Sequence, residues 1–422
     1  MKEWPITAFR NIYAEPSKNG LTRPRRVRGS GYKMINMGEL FAHSRINNPP
    51  MDLVPLSESE KEKFAVKAGD LLFARQSLIA SGAGKCSIVL NVPEFTTFES
   101  HIIRVRLDST KAISLFYYYY FLSPVGKGNI QSLVMQVAAA GIRGSELGEL
   151  AIPTPPLPTQ RKIASILSAY DELIENNTRR IAILEEMAQS LYREWFVHFR
   201  FPGYEKKRLV ESAVGLVPEG WEVINLRDIS SFINRGVSPK YDDASDNIVI
   251  NQRCIRNNRL DLGESRRHST KVSDGKLVQF GDVLVNSTGI GTLGRKAQIY
   301  QNIPNCTVDS HVTIVRPNED VNIDYYGFYS LGLQAHFDSL GVGSTGQTEL
   351  SRESISNTRF LLPPSDLQEL FSKLVSPMRK NIVQIVAKNA NLRRTRDLLL
   401  PKLISGEVDV ERFTMEKKEV GI

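Results

Sequence analysis

The sequence predicts a mixed α/β protein in which two pseudo-repeated α/β units are separated by two long helices that form an antiparallel coiled coil. The first observation is an internal repeat, because Trp4 recurs as Trp221 and Gln160 as Gln368, with an offset that drifts only from 217 to 208. The second is the end of each repeat, where apolar residues are spaced by three and four positions, as in an amphipathic helix. The third is the remainder of each repeat, where Gly, Pro, Asn and Ser separate short β-branched runs such as Val312–Val315.

The repeat also indicates where the elements and domain boundaries fall. Gly69 and Asp70 return as Gly281 and Asp282, and the small shifts in offset indicate loops of different length on one scaffold. The expected boundaries are residues 1–157 for the first α/β unit, 158–200 for the first helix, 201–214 for a linker, 215–364 for the second α/β unit, 365–402 for the second helix and 403–422 for a C-terminal tail.

Each predicted helix carries an apolar seam with heptad spacing, which is the pattern of a coiled coil. The first seam consists of Ile163, Leu167, Tyr170, Ile174, Asn177, Ile181, Leu184 and Leu191. The second seam consists of Phe371, Val375, Met378, Ile382, Ile385, Asn389, Leu392, Arg396 and Leu399. Because one helix of this length cannot bury such a seam alone, we expect the two helices to pack on each other. The alternative is that each seam packs on its own α/β unit as ordinary core.

Local signals mark the ends of the two helices. Ser365 and Gln368 have the spacing of a capping box at the start of the second helix. Pro202 and Pro401 are expected to end the first and the second helix, respectively. Pro377 lies inside the second seam and predicts a kink there or a later start of the regular helix.

The composition indicates the cellular compartment and the class of partner to expect. The formal net charge of +8 lies in the first half, where residues 1–210 hold 28 basic and 20 acidic side chains, whereas residues 211–422 hold 26 of each. The three cysteines are far apart and lack metal-binding spacing, so we expect a cytoplasmic protein without disulfides or a zinc ribbon. The N-terminal stretch has no apolar signal segment and the longest apolar run has ten residues, so we expect no membrane association.

Residue types and spacing offer no catalytic or metal site. Asn48, Pro49 and Pro50 match the core of an amino-methyltransferase motif, but Met51 stands where that motif needs an aromatic ring. No glycine-rich turn follows a strand in a way that would hold S-adenosylmethionine. The six histidines show neither metal-binding spacing nor a partnered nucleophile. We therefore expect neither enzyme activity nor a cofactor.

The α/β units offer cationic and polar loops instead. From Arg23 to Lys33 there are five cations and no acid, which favours a polyanionic partner over an ordinary solvated loop. Further loops combine cations with amide and hydroxyl side chains, which suit phosphates and base edges. Because the scaffold repeats while these side chains differ, we infer two different half-sites in an asymmetric, bipartite DNA target. The candidate DNA-binding residues are Arg23, Arg25, Arg26, Arg28, Lys33, Arg75, Gln76, Lys85, Arg143, Arg235, Lys240, Tyr241, Arg253, Arg256, Arg266, Arg267, Asn286, Ser287, Thr288, Arg295 and Lys296.

Three segments carry a resemblance to a known family. They are IPTPPLPTQRKIASILSAYDELIENNTRRI at 152–181, GLVPEGWEVINLRDI at 215–229 and DLLLPKLISGEVDV at 397–410. With these segments the chain resembles, over essentially its whole length, the specificity (S) subunits of type I restriction-modification systems. The resemblance implies two target recognition domains, one for each half of a double-stranded DNA target.

The resemblance also implies partners. In that family the conserved helices hold two methylase (M) subunits, and restriction (R) subunits dock on this core. The adenine methylation and the DNA cleavage then belong to those partners, so the S subunit itself is not catalytic.

Two alternatives remain open at this point. One is a stand-alone bipartite DNA-binding protein, or a recognition module of a fused methylase-nuclease; a stable two-to-one complex with methylase subunits would argue against both. The other is a scaffold without a DNA role, which predicts no salt-dependent retention on duplex DNA. The basic loops argue against the scaffold.

Overall fold

The computed structural model describes residues 4–77, 82–135, 141–289, 291–343 and 348–412. The chain forms two units: unit 1 comprises residues 1–176 together with 389–422, and unit 2 comprises residues 177–388. Both boundaries fall inside a long helix, so each long helix contributes one part to each unit.

The described part of unit 1 contains three sheets and five short helices. The sheets have the strand orders β2-β9-β6-β7-β4, β5-β3-β8 and β1-β10. The strands are β1 (Ile6–Ala8), β2 (Tyr13–Asn19), β3 (Tyr32–Ile35), β4 (Arg45–Asn47), β5 (Asp52–Val54), β6 (Leu71–Ala74), β7 (Cys86–Asn91), β8 (Thr96–Phe98), β9 (Ile102–Leu107) and β10 (Ala151–Pro153). The helices are α1 (Met37–Ala42), α2 (Glu58–Phe64), α3 (Ser114–Leu122), α4 (Pro124–Met135) and α5 (Gly144–Glu149), and the first long helix is α6 (Leu157–Tyr192).

The described residues of unit 2 form a four-stranded sheet, a three-stranded sheet and three strand pairs. The orders are β14-β22-β19-β20 and β18-β15-β21, and the pairs are β13-β23, β11-β12 and β16-β17. The strands are β11 (Leu209–Ser212), β12 (Gly215–Pro218), β13 (Glu222–Asn225), β14 (Ser230–Arg235), β15 (Ile248–Ile250), β16 (Ile255–Arg256), β17 (Arg259–Leu260), β18 (Arg266–Arg267), β19 (Val283–Asn286), β20 (Lys296–Gln298), β21 (Cys306–Val308), β22 (Val312–Pro317) and β23 (Arg359–Leu362). The helices are α7 (Ile323–Gly332), α8 (Gln334–Ser339), α9 (Arg352–Ser356) and the second long helix α10 (Ser365–Ile404).

The two units share one strand topology, which confirms the predicted repeat of mixed α/β units. The order β2-β9-β6-β7 in unit 1 corresponds to β14-β22-β19-β20 in unit 2, and β5-β3-β8 corresponds to β18-β15-β21. The strand directions agree as well, because β3 is parallel to β8 and antiparallel to β5, just as β15 is parallel to β21 and antiparallel to β18. Unit 1 adds one edge strand, β4, beside β7.

A repeated glutamine joins the start of each long helix to its unit. The side chain of Gln160 donates to the carbonyl of Pro155 (2.7 Å) and accepts from the backbone N–H of Ile113 (2.8 Å), the N-cap of α3. The side chain of Gln368 makes the equivalent bonds in unit 2, to Pro363 and Asn322. Both side chains are buried, so they satisfy main-chain groups that water cannot reach.

Within unit 1, the first part of α6 lies beside the last part of α10. Ile163 and Leu167 share one apolar core with Leu400 and Leu403. Asp171, farther along α6, accepts a hydrogen bond from Arg396, which precedes Leu400 on α10. The contacts advance along α6 as they recede along α10, so the two helices are antiparallel.

The buried carboxylate of Asp171 explains why the seam contains Arg396. Asp171 also accepts a hydrogen bond from the hydroxyl of Tyr119 (2.7 Å), and Arg45 lies 3.4 Å from it. A buried carboxylate is tolerated only where several donors replace its lost hydration. Arg396 is therefore a specific partner of Asp171.

Within unit 2, the last part of α6 and the first part of α10 also lie side by side. The ring of Phe371 is 6.2 Å from that of Tyr192 and 5.0 Å from that of Phe196. Phe371 lies in the second turn of α10, whereas Tyr192 ends α6, so the antiparallel direction is the same. The two predicted alternatives for the seams are therefore both correct. The helices α6 and α10 pack on each other, and they also pack on the sheets of each unit.

Every seam residue predicted from the sequence is buried or half-buried. The helix ends differ from the prediction: α6 ends at Tyr192 before a π-helical turn, Arg193–Val197, and α10 passes through Pro401 to Ile404. Leu403 and Val410 are buried in the core of unit 1, so the start of the expected tail belongs to that unit; residues 413–422 lie outside the described part of the chain.

The second long helix also corrects two local predictions. Pro377 is exposed and α10 is assigned as helix without a break on either side of it, so neither the kink nor the later start is observed. At an exposed position, water can satisfy the carbonyl of the preceding turn that has no N–H partner. Gln368 does not close a capping box with Ser365, because its side chain bonds to Pro363 and Asn322. Among the described residues, none of the helices is long and apolar enough to cross a membrane.

Candidate nucleic-acid interface

The cationic loop of unit 1 connects β2 to β3 and contains a 3-10 turn at Arg25–Val27. The side chains of Arg25 and Arg26 are exposed in this turn. Within the described ranges, neither of them forms an ion pair or a side-chain hydrogen bond. These two guanidinium groups are therefore available to an anionic partner.

The other predicted cations of this loop are bound to neighbouring groups of unit 1. Arg23 donates to Glu60 (2.6 Å), and Lys33 donates to Glu94 (3.1 Å). Arg28 donates to Asp52 (2.7 Å), to the side chain of Asn36 (3.0 Å) and to the carbonyl of Arg23 (3.0 Å). Their role in this structure is to shape the loop that presents Arg25 and Arg26.

Four further candidates lie elsewhere in unit 1. Gln76 is exposed and Arg75 is half-buried after β6. The ammonium group of Lys85 donates to the carbonyl of Phe41 (2.7 Å), and burial lowers the pKa of this lysine. Arg143 is exposed and lies 3.7 Å from Glu146. Gln76, Arg75 and Arg143 thus retain hydrogen-bonding capacity, whereas Lys85 is held against the protein.

Of the candidate DNA-binding cations in unit 2, Lys240, Arg253, Arg256, Arg266 and Arg267 are exposed. Arg267 donates to the carbonyl of Ser245 (2.6 Å) and lies 3.3 Å from Asp246. The other four form no ion pair with any residue in the described ranges. Unit 2 therefore has several free cations, although its equivalent of the first basic loop is less basic.

An exposed aromatic ring stands among these cations. Tyr241 is 44% exposed, and the guanidinium carbon of Arg266 lies 3.4 Å from the centre of its ring. This is the distance of a stacked cation–π pair. The stack fixes the plane of the guanidinium group and leaves its N–H donors exposed.

Three predicted contact residues are corrected by their burial. Asn286 and Ser287 are 0% exposed at the end of β19, and Lys296 is 0% exposed in β20. Ser287 shares a hydrogen bond with Thr313 (2.6 Å), and the ammonium nitrogen of Lys296 lies 5.2 Å from the centre of the Phe337 ring. Burial lowers the pKa of Lys296 to about 7. None of the three side chains can reach a nucleic acid in this structure.

The remaining candidates of unit 2 are half-buried. The hydroxyl of Thr288 shares a hydrogen bond with Nδ1 of His311 (2.9 Å). Arg235 lies 2.8 Å from Glu349 and donates to the carbonyl of Leu350 (2.9 Å). Arg295 has no ion pair with another residue of the described ranges. Of these three residues, only Arg295 has a charge that is not paired within the described ranges.

The structure also reveals a repeated ion pair that the sequence reasoning missed. Arg106 binds Asp70 in unit 1 with two hydrogen bonds of 2.7 Å, and Arg316 binds Asp282 in unit 2 with bonds of 2.7 and 2.9 Å. Both aspartates are buried, and burial raises the pKa of Asp282 although Arg316 opposes that shift. The repeat matched Asp70 with Asp282, but the distance along the chain from each aspartate to its arginine concealed the pairing.

One further cation of unit 2 is bound to the long helix. Arg259, in the β16-β17 hairpin, forms an ion pair with Glu185 of α6 within unit 2. No group of three or more His, Cys, Asp and Glu side chains in the described ranges is placed to hold a metal ion. The exposed candidate residues of both units are cationic or polar.

Comparison with known proteins identifies the family. The model of the type I restriction modification DNA specificity domain matches residues 25–186 and again residues 218–392. The specificity subunit of the type I restriction enzyme MjaIX from Methanocaldococcus jannaschii is 27% identical over 308 residues, which cover 71% of this chain and 70% of that protein. The HindI specificity subunit from Haemophilus influenzae is 20% identical, covering 89% of this chain and 94% of that protein.

A solved structure has the same fold. The S subunit of a type I restriction-modification system from M. genitalium has a TM-score of 0.62 and 16% identity, and the match covers 95% of this chain and 96% of that chain. The two matches to one domain model cover most of the two α/β units and most of the long helices. The chain therefore belongs to the family of type I restriction-modification DNA specificity proteins, and it is a recognition subunit rather than a catalytic one.

Proposed function

We propose that each unit of this specificity subunit reads one half of an asymmetric, bipartite double-stranded DNA target. Partner subunits would then methylate adenine in that target or cleave the DNA. The observation that supports this proposal is that one strand order presents two different sets of exposed side chains. Unit 1 presents Arg25, Arg26 and Gln76, whereas unit 2 presents a stacked Tyr241 and Arg266.

The proposed division of labour follows from the chemistry of the exposed groups. Free cations such as Arg25, Arg26 and Lys240 contact phosphates and fix the position of each unit on the duplex. Amide and guanidinium groups such as those of Gln76 and Arg266 read base edges in the major groove. The paired helices α6 and α10 set the number of unread base pairs between the half-sites.

Selection of bound duplexes from a randomised library tests the proposal. The complete complex is expected to select two unlike half-sites at a constant separation. A single half-site, or two identical ones, would contradict the proposal. Binding whose affinity does not depend on salt concentration would contradict the proposed phosphate contacts.

We also propose that α6 and α10 hold two methylase subunits, with restriction subunits docking on that core, in the cytoplasm. Exposed apolar side chains on both helices support this proposal. Ile183 (59% exposed) and Met187 (50%) are one turn apart on α6, and Leu370 (40%) and Leu374 (44%) are one turn apart on α10. Exposed apolar pairs of this kind are typical of protein–protein contacts.

Mixing experiments with purified methylase subunit test the docking proposal. The wild-type chain is expected to give a complex of two methylase subunits and one specificity subunit. Changing Ile183→Ser together with Met187→Ser should weaken that complex. Val342→Ser, which removes an apolar side chain that is 76% exposed away from the helices, is the matched control. Equal effects of the two variants would contradict the proposed dock.

A further inference from the structure

The strand pairs β3-β5 and β15-β18 place four side chains at equivalent positions in the two units. In unit 1, Met34 of β3 is paired with Asp52 of β5; in unit 2, Val249 of β15 is paired with Arg266 of β18. Ile35 and Ile250 are the last residues of the corresponding strands β3 and β15, so the residues before them, Met34 and Val249, are equivalent. Asp52 and Arg266 therefore occupy the same place on the shared scaffold.

The preceding loop adds a second equivalence beside these strands. The backbone N–H of Gly29 donates to the carbonyl of Leu53 (2.9 Å) in unit 1, and that of Asp242 donates to the carbonyl of Arg267 (3.1 Å) in unit 2. The residues just before these donors, Arg28 and Tyr241, therefore correspond to each other.

The position shared by Asp52 and Arg266 carries opposite charges in the two units. In unit 1, Arg28 and Asp52 form an ion pair, and the guanidinium group of Arg28 makes further hydrogen bonds within the loop. In unit 2, Arg266 stacks on the ring of Tyr241 and forms no ion pair or side-chain hydrogen bond within the described ranges. Unit 1 thus has an aspartate at this position, which neutralises Arg28, whereas unit 2 presents a charged fork of donors.

An arginine held in this way has the geometry for guanine. Two parallel N–H groups of a guanidinium match O6 and N7 of guanine in the major groove, and no other base offers two acceptors there. The stack on Tyr241 fixes the plane of the fork before DNA binds, which reduces the loss of side-chain freedom on binding. Lys240, exposed beside Tyr241, supplies a separate point charge for a phosphate.

The contrast with the framework residues favours base reading over a phosphate contact. The pairs Asp70–Arg106 and Asp282–Arg316 are alike in both units, as expected of groups that hold the scaffold together. A phosphate contact needs no difference between the units, because the DNA backbone is the same in both half-sites. The position of Asp52 and Arg266 does differ, as expected of a group that reads sequence.

We infer that Arg266, oriented by the ring of Tyr241, reads a guanine in the half-site bound by unit 2. This inference rests on the proposed function and specifies one base of the target. It also makes this position one source of the asymmetry between the two half-sites.

Base preferences of variants test the inference. The complete complex and its variants would be presented with a duplex library randomised in each half-site. Wild type is expected to require guanine at one position of one half-site. Arg266→Ala should lose that preference, with affinity for the guanine target reduced about 5- to 150-fold and little change for the other bases. Arg266→Lys should weaken it, because an ammonium can still donate to O6 and N7 but lacks the planar fork.

Two variants of the aromatic ring test the role of the stack. Tyr241→Phe keeps the ring and should retain the guanine preference, whereas Tyr241→Ala should weaken it. Thermal unfolding of each variant confirms that unit 2 remains folded. A Tyr241→Ala variant with full preference would overturn the role of the ring.

Other results would overturn the assignment to Arg266. An unchanged guanine requirement in Arg266→Ala would refute base reading by this residue. An equal loss of affinity for every base would identify a phosphate contact instead. If wild type selected no sequence at all, the proposed function itself would fail, so the two failures are distinguishable.

Discussion

The exposed pair Arg25 and Arg26 allows a quantitative test of phosphate binding by unit 1. Both side chains are exposed, and neither has an ionic partner in the described part of the chain, whereas Arg23 and Lys33 of the same loop are bound to carboxylates. The double variant Arg25→Ala/Arg26→Ala therefore removes the free charge of the loop and leaves the charges that shape it.

The expected magnitude follows from counterion release. Each lost phosphate contact reduces the slope of log K against log salt by about 0.9, so two contacts reduce it by about 1.8. Relative to a 1 M reference, this corresponds to about 30-fold weaker binding at 0.15 M salt and about 200-fold at 0.05 M salt. The loss should be the same for target and non-target duplexes, because phosphates carry no sequence information.

Fluorescence anisotropy of labelled duplexes at several salt concentrations measures this slope. Arg25→Lys/Arg26→Lys is the matched control, because it keeps both charges and should keep the slope. A slope equal to that of wild type in the alanine variant would refute the reasoning. So would a loss confined to one target sequence, which would indicate base reading.

Three further predictions concern the helices and the buried charges. Removing seven residues from each of α6 and α10 shortens the helix pair by about 10 Å and should shorten the preferred gap between half-sites by about three base pairs. If the helices do not set the gap, selection from a duplex library would show an unchanged gap. Asp171→Ala leaves Arg45 and Arg396 without their buried partner and should lower the free energy of unfolding by about 3 kcal/mol. Asp397 is an exposed partner of Arg396, so Asp397→Ala should lower it by less than about 1 kcal/mol. Equal losses in urea denaturation of the two variants would contradict this reasoning. Burial lowers the pKa of Lys296 from 10.5 to about 7, so between those pH values the unfolded chain holds a proton that the folded chain has released, and the free energy of unfolding should increase with pH. Lys296→Met should be more stable than wild type at pH 6 and should lack this increase. Denaturation curves of both proteins at pH 6, 8 and 10 measure how the free energy of unfolding depends on pH.

Much of the architecture could be predicted because it rests on repetition and periodicity. The matches Trp4 with Trp221 and Gln160 with Gln368 identified two units of one fold, and each glutamine makes the same two hydrogen bonds in its unit. The heptad seams identified the side chains that are buried along α6 and α10, since helical spacing determines which residues share a face.

The candidate contact residues were harder to predict, because residue type does not reveal direction. Asn286 and Lys296 have the donors that a DNA contact needs, but both lie in strands with inward-facing positions, and both are fully buried. Arg25 and Arg28 are three residues apart in the same basic loop, yet only Arg28 has carboxylate and amide partners. Those partners, Asp52 and Asn36, come from other segments and cannot be read from the loop itself.

The way the chain builds its two units has a consequence for biosynthesis. Unit 2 is one continuous stretch, residues 177–388, whereas the core of unit 1 includes Leu400, Leu403 and Ile404 from the far end of α10. At about 5–20 residues per second, a ribosome needs on the order of 10–40 s to make the intervening 212 residues. During that interval the apolar face of unit 1 that awaits α10 has no cover from its own chain. The first half to emerge from the ribosome is thus the last to be completed.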